Sequence, residues 1–526
     1  MFALTLQAVG ATALWGATLP TPPLEFDTTY PTSLTGVVIN VNTGDNLQAA
    51  IDSARAGDTL VLQAGATFTG PFNFPDKAGN GWIHLRSSAY SNLPAPGNRV
   101  SPEDAVNMPK LVLRGEPGTG VLNFANNAHH YRFIGIEVKP ADGHAVNGLI
   151  RIGLNNLAPA TLPNHIVIDR CYVHGDLTAG SRRGIAMNGA YVAVVDSYLS
   201  TFFMPGADSQ AIWAHNTTGP LRIVNNYLEG ASENVLFGGA DSLAPTLVPS
   251  DIEIRRNHFF KPLSWIGQTR QVKNHLELKS AKRVVVAENI FENVWPAPDG
   301  QAGWSILVSP RNQDGGAPWS VTEDVSIRGN RFLNVAQGIR VGGEDGDQQS
   351  ERTHRVLIEN NLVSITGLNG ASGRLFGIQQ GPADVTINHN TGLILGGTDS
   401  VFASVDLLPK TDGFAFTNNI VDHGQYGFKG SGVAEGLPTL NVFFVDFVFS
   451  RNAIIGAAAG AYPPDNFLPE SAAAAHFTDY KGRDFRLAPS SPYRNAGLDG
   501  KDLGADMDLI PRLGPKPGTP IDLDAR

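Results

Sequence analysis

At 526 residues the chain is longer than one ordinary hydrophobic core sustains, so it either divides into domains or repeats. A net charge of −10 argues against nucleic acid as partner, since its binders carry basic faces. With 58 glycines, 35 prolines and 17% charged residues, the composition is that of a β-rich chain of many turns. A negative total still leaves room for a local basic cluster, and so for an anionic substrate.

The opening stretch, MFALTLQAVGATALWGATLP, is mildly apolar and rich in small residues, like the end of a signal peptide, with no Lys or Arg ahead of the apolar run. Secretion, or a place in the periplasm, is the expectation. TPPLEFDTTYPTS then reads as a linker or extended arm, which sets residues 1–37 apart from a domain at 38–510 and a tail at 511–526. No later stretch has the roughly 20 uninterrupted apolar residues of a membrane helix. The domain opens with GDNLQAAIDSARAGDTLVLQAG. Asp45 is placed to cap a short amphipathic helix bearing Leu47, Ile51 and Ala54 on one face, with Gly57 closing it. TLVLQ begins the first coil.

From the first third onward one pattern recurs: an apolar residue, two variable residues, Asn, one variable residue, another apolar residue. IVNNYL (223–228), IRRNHF (254–259), VAENIF (286–291), IRGNRF (327–332), IENNLV (358–363), FTNNIV (416–421) and FSRNAI (449–454) carry it, and INHNTG keeps the Asn. The column Asn226, Asn257, Asn289, Asn330, Asn361, Asn390, Asn419 and Asn452 steps by 29 to 41 residues. IDRCYV puts the single cysteine, Cys171, in that column, inward and inert. VDSYLS puts Ser197 there, one position out of step. Such a period is the mark of a solenoid, with each Asn bonding its neighbours above and below and taking the left-handed backbone of a tight turn. The column is architectural. The fold expected is a single-stranded, right-handed parallel β-helix of about ten rungs with a short N-terminal capping helix.

Each repeat holds a second strand before the Asn strand: GIAMNG (184–189), AIWAHN (211–216), NVLFGG (234–239), HLELKS (275–280), SILVSP (305–310) and GIRVGG (338–343). Period-two alternation turns Ile185, Ile212, Val235, Leu276, Ile306 and Ile339 inward. The outward columns then hold Trp213, Glu277 and Arg340; His215, Gly238, Lys279 and Ser309; and Asn234 and His275. Arg311 follows Ser309 by two and faces out with it. Loops leave the coils at 240–250, 262–273, 293–303, 312–322 and 343–354.

These residues resemble the pectate-lyase-like superfamily over roughly residues 38–510, with NLQAAIDSARAGDTLVLQAG and FRLAPSSPYRNAG as opening and closing shapes common to it. The superfamily holds lyases, glycoside hydrolases, epimerases, esterases and tailspikes. The polygalacturonase and mannuronan epimerase motifs are missing here. LELKSAKRVVVAENIFEN (276–293) also looks like the Glu-x-x-x-Lys-Ser region of the chondroitinase B and alginate lyase family, where a lysine is the base, an arginine the acid, and a calcium held by Glu and Asn neutralises the uronate. Carried over, this implies Lys279 as base and Arg311 as acid. It departs in that Glu277 stands two residues before Lys279, not four, and the family's Arg-His-Gly setting around the arginine is absent.

The face can also be read without any family. His215, Asn234, His275, Glu277, Lys279, Ser309 and Arg311 fall on neighbouring rungs, a patch about 15 Å tall. Trp213, Trp304, Trp319 and Arg340 lie near enough to hold sugar rings. β-Elimination from a uronate needs a base, a neutralised carboxylate and a proton donor. Lys279, Arg311, His215, His275 and Glu277 supply those roles, and Glu277, Glu233 and Asn234 are the candidate calcium ligands. The expected function is a lyase acting on an anionic polysaccharide. Two alternatives stand: a hydrolase pairing Glu277 with Asp208 or Asp241, and a non-catalytic polysaccharide-binding or tailspike-like adhesin.

Overall fold

A strand of four to seven residues with apolar side chains on alternate positions has one face to bury and cannot bury it alone. In the computed structural model, which describes residues 17–29, 35–114, 118–153, 158–406 and 409–513, these strands wind into a right-handed parallel β-helix of about 13 coils. Three sheets run along it. Sheet A has 14 strands, such as Ala281–Ala287; sheet B has 13, such as Ile290–Val294; sheet C has 12, such as Asn274–Leu278. Neighbouring strands pair in parallel and in register, so side chains stack in columns. One continuous apolar core fills the interior, with Phe259, Phe291 and Phe332 stacked at centroid spacings of 4.5 and 4.8 Å. The stack exceeds the ten rungs legible in sequence because the first coils, including Thr59–Leu62 and Ile83–Ser87, lack the Asn pattern.

The Asn column forms one unbroken inward ladder at the bend from sheet A to sheet B. The side-chain oxygen of each Asn accepts from both the main-chain N–H and the side-chain amide of the Asn on the preceding coil, from Asn226 to Asn452. Asn466, from a loop beyond the last coils, continues it. Ser197 sits in step, not displaced, and donors from Ser197 and Cys171 extend the ladder backward. The left-handed residue is not the Asn but the one before it: Asn225, Arg256, Glu288, Asn360 and Asn418 have φ of 57°, 53°, 58°, 53° and 58°. A non-glycine residue pays about 1–2 kcal/mol for that backbone, and the ladder bonds offset it. Burial pushes the Cys171 thiol up to about 12, as suits an inert side chain.

The helix Leu47–Ser53 buries Leu47 and Ile51 over the first coil, as expected, but its cap is Asn46, whose side chain accepts from the Ala49 N–H. Asp45 instead accepts from the Asn42 N–H. At the other end, residues 457–513 fold back along the outside of sheet B, packing Tyr493 and Leu503 against Ile420 and Ala453, and Phe485 and Ile510 against Leu362 and Leu393.

Residues 17–29 form an arm that lies across the strands on the outside of sheet A. The main-chain N–H groups of Thr18, Thr21 and Leu24 donate to Asp384, Asp324 and Asp251, at 3.2, 2.8 and 2.9 Å. Those aspartates lie on every second coil, with Arg355 and Arg283 between them. Further along, the carbonyls of Phe26 and Thr28 accept from Arg222 and Arg132. The Phe26 ring packs on the outward apolar patch of Val167, Ala193, Val195 and Val224.

Candidate functional site

The outer face of sheet C is the floor of a groove. Loops joining C to A (240–250, 312–322 and 343–354) rise on one side, and loops joining B to C (262–273 and 293–303) on the other. Two loops of the first side are tied to each other: Asp241 accepts from the Asp314 and Gly316 N–H groups, and Trp319 Nε1 donates to Ser242. Asp241 and Trp319 are therefore parts of the wall.

Parity holds for one outward column and fails for another. Trp213, Leu236, Glu277, Leu307 and Arg340 stack outward along the floor, as expected. The column of Asn234 and His275 does not face out. At the bend from sheet B into sheet C two successive residues turn inward, and the outward column is one residue earlier: Arg183, Gln210, Glu233, Asn274, Trp304, Gln337. His275 is wholly buried between Phe259 and Phe291, its Nε2 on the Glu292 carbonyl at 3.0 Å. Burial, then the nearby Lys261 charge, push its pKa far down. It is a neutral core residue and not a site residue. The Asn234 amide donates to the Leu228 and Phe260 carbonyls.

At the centre of the groove lies a buried cluster. Glu277 is 5% exposed, and its Oε2 is 3.5 Å from the Lys279 ammonium. Lys279 is partly exposed and sits directly above Gly238. There φ is +94° and an added Cβ would fall 2.8 Å from the Lys279 Cβ, so only glycine fits. Glu233, fully buried, accepts from Gln210 Nε2 at 2.7 Å, and its other oxygen has no hydrogen-bond partner. Burial first, then the like charges of Glu277 and Asp208, push its carboxyl far above the usual range, against the pull of Lys279 and Lys273. Asp208 itself pairs with Lys273 at 2.7 Å. Two coils above Glu277, about 9.6 Å along the stack, stands Arg340, with half-exposed Leu307 between them. Arg340 has no carboxylate at ion-pair distance among the described residues, and its Nε is buried and unpartnered. Burial holds its pKa below the ordinary arginine value. Along the groove Arg183, Lys273, Lys279, Arg340 and Arg374 stand among the carboxylates Asp208, Glu233, Glu277 and Asp406.

The remaining expected residues serve the walls and floor. Trp213 is buried, donates to the Gly238 carbonyl at 2.9 Å, and lies under the Arg183 guanidinium at 3.8 Å. His215 stacks on Trp213 at 4.6 Å, and burial, then Arg183, push it down to about 4, so it is neutral. Trp304 is buried with its ring against Gly377. Neither indole offers an open sugar platform. Arg311 is on the coil above Lys279, its N–H on the Lys279 carbonyl, but its guanidinium is held by Asp345 at 2.8 Å and Asp347 at 2.6 Å in the 343–354 loop. It is neutralised and turned toward the wall. The calcium set does not converge: the Asn234 amide is taken up by main-chain carbonyls on the inner side, and no group of three His, Cys, Asp or Glu poised for a metal occurs among the described residues.

Arg183, Gln210 and Gln337 escaped the sequence reading because the bend shifts their column by one, and Lys273 because it lies in the loop before Asn274. A break in hydrophobic alternation at QAIW and ENVL was the available signal. Fully buried Lys261, which donates to the Gly230 and Ala231 carbonyls behind Glu233, had no such signal.

Fold and groove together define a right-handed parallel β-helix protein whose structural neighbours are polysaccharide lyases and tailspikes. A mannuronic acid specific family 6 polysaccharide lyase from human gut microbiota superposes with a TM-score of 0.50 at 13% identity, covering 80% of this chain and 86% of its own. The family 6 alginate lyase AlyGC gives 0.48 at 13%, covering 91% and 60%. The tailspike of E. coli bacteriophage HK620, in complex with a pentasaccharide, gives 0.47 at 15%, covering 79% and 64%. These are likenesses of fold. No family model and no curated protein sequence matches the chain.

Proposed function

We propose that this protein binds an anionic polysaccharide along the groove of sheet C and cleaves it by β-elimination at a uronate unit lying over Leu307. The observation that carries this reading is the bracket around Leu307: the Glu277–Lys279 pair on one side and Arg340, free of any carboxylate partner among the described residues, on the other. Arg340 would take the uronate carboxylate, which Arg311 is too fully paired to do, and so make the C5 proton acidic. The Lys279 ammonium, a donor, stands 3.5 Å from the Glu277 carboxylate, an acceptor. In this reading the base is Glu277, which takes the C5 proton, and Lys279 gives its proton to the leaving glycosidic oxygen, whereas the resemblance implied Lys279 as base and Arg311 as acid. No step passes through a metal.

A second reading rests on Glu233. Two neighbouring carboxyls with environments that push them apart are the arrangement of an acid and a base in glycoside hydrolysis. This pair is Glu233 with Glu277, in place of Asp208 or Asp241. Against it, Glu233 is wholly buried. A screen of uronate-containing and neutral polysaccharides separates the two. Ultraviolet absorbance of an unsaturated uronate end marks elimination; new reducing ends without that absorbance mark hydrolysis and overturn the proposal.

A further inference from the structure

Where the C-terminal segment folds back over sheet B, on a different face from the groove, a cleft of about 410 Å³ opens between it and the coils. Four guanidinium groups line it: Arg331 at the start of the strand Arg331–Val335, and Arg483, Arg486 and Arg512 from the segment. Its apolar wall is Leu362, Phe485 and Ile510, all buried. The cleft lies within the usual range of ligand sites, about 300–1,000 Å³.

The charges do not balance. The one carboxylate in the lining, Asp484, is taken up by Arg486, whose Nε donates to it at 2.8 Å. Arg331 donates one Nη1 bond to the Pro511 carbonyl at 3.2 Å, and its buried Nε has no partner. Among the described residues, Arg331, Arg483 and Arg512 have no carboxylate at ion-pair distance. Burial, then the like charges of Arg483 and Arg512, push the Arg331 guanidinium below its ordinary value. Like charges brought together around a partly enclosed space repel unless an anion joins them, and planar N–H forks match the oxygens of phosphate and sulfate.

We infer that this cleft is a binding site for a compact, doubly charged oxyanion, a phosphate or sulfate group, free or carried as an ester on a sugar. The test is calorimetric titration of the full chain with inorganic phosphate, inorganic sulfate and glucose 6-phosphate, with chloride at matched ionic strength as reference. Saturable binding above the chloride reference is expected. Arg331 belongs to a strand and its replacement endangers the coil, so exposed Arg483 and Arg512 carry the test. Arg483→Gln and Arg512→Gln should each weaken binding at least fivefold, while Lys501→Gln, exposed on the same segment, should leave it unchanged. A sugar phosphate bound at least tenfold tighter than inorganic phosphate identifies an ester as the ligand; equal affinities identify the free oxyanion. Binding no stronger than chloride, or unchanged in both arginine variants, overturns the proposal.

Discussion

The side-chain oxygen of Asn289 accepts two hydrogen bonds from Asn257, one from its main-chain N–H at 2.9 Å and one from its side-chain amide at 3.1 Å. The Asn289 amide in turn donates to the Ile254 carbonyl and to Asn330. Every bond lies in the dry interior of the bend. Asn289→Ala strands the Asn257 donors and should destabilise the fold by about 1–3 kcal/mol. Urea unfolding should show the loss, while turnover per folded molecule stays near wild type. Lost turnover with an unchanged midpoint would contradict an architectural ladder.

Under the proposed elimination, Glu277→Gln and Lys279→Ala would each remove a proton-transfer partner and should lower turnover roughly 10²–10⁴-fold. Arg340→Ala should weaken substrate binding as well. Arg311→Ala breaks the contacts with Asp345 and Asp347, which tether a wall loop, and should change turnover far less. Steady-state kinetics on the responsive polysaccharide orders the four. Arg311→Ala matching Glu277→Gln would return the chemistry to Arg311.

Glu233 gives the stability a pH signature. Its folded pKa is raised to about 8 by burial and by Glu277 and Asp208, so the folded state holds a proton that the unfolded chain gives up near the ordinary glutamate value. Folded molecules thus bind more protons, and this site's contribution is fully present at acidic pH and is lost as pH rises toward the folded pKa. Glu233→Gln keeps an acceptor for Gln210 and removes the titration. The Tm difference, variant minus wild type, should grow between pH 5 and 8. A difference constant across that range would mean that Glu233 is ionised in the fold.

The arm should detach when its aspartates go. Asp324→Ala removes the acceptor of the Thr21 N–H, and Phe26→Ala empties the patch beneath the ring. In the double variant, hydrogen exchange at Thr21 and Leu24 should approach the rate of an unprotected peptide, with the coils unchanged. Full protection in that variant would show that other contacts hold the arm.

The ladder was legible because an Asn that must meet its neighbour on the next coil can recur only at coil spacing, and its side chain has no substitute in that bend beyond Ser197 and Cys171 at the early end. Outward positions were legible wherever a strand ran straight, as at Glu277 and Arg340. Parity failed at His275 and Asn234 because counting alternation assumes an unbent strand, and the corner between sheets B and C adds one inward residue. The fate of Arg311 was hidden for a different reason. Its partners Asp345 and Asp347 are 34 and 36 residues away in a loop whose course no periodicity predicts.

A solenoid ordinarily knows only its neighbours: each coil touches the next, and folding can begin anywhere and spread. The arm changes that. It bonds Asp384 at one of its ends and Arg132 at the other, so it can close only when all the coils between them are stacked. Three residues of extended chain rise about 9.3 Å, close to the roughly 9.6 Å of two coils, which lets Thr18, Thr21 and Leu24 meet alternate coils without strain. Deleting one residue between Thr21 and Leu24 would throw the two ends out of phase. The arm thus ties the nine coils from Arg132 to Asp384 into one unit within a fold otherwise built of local contacts.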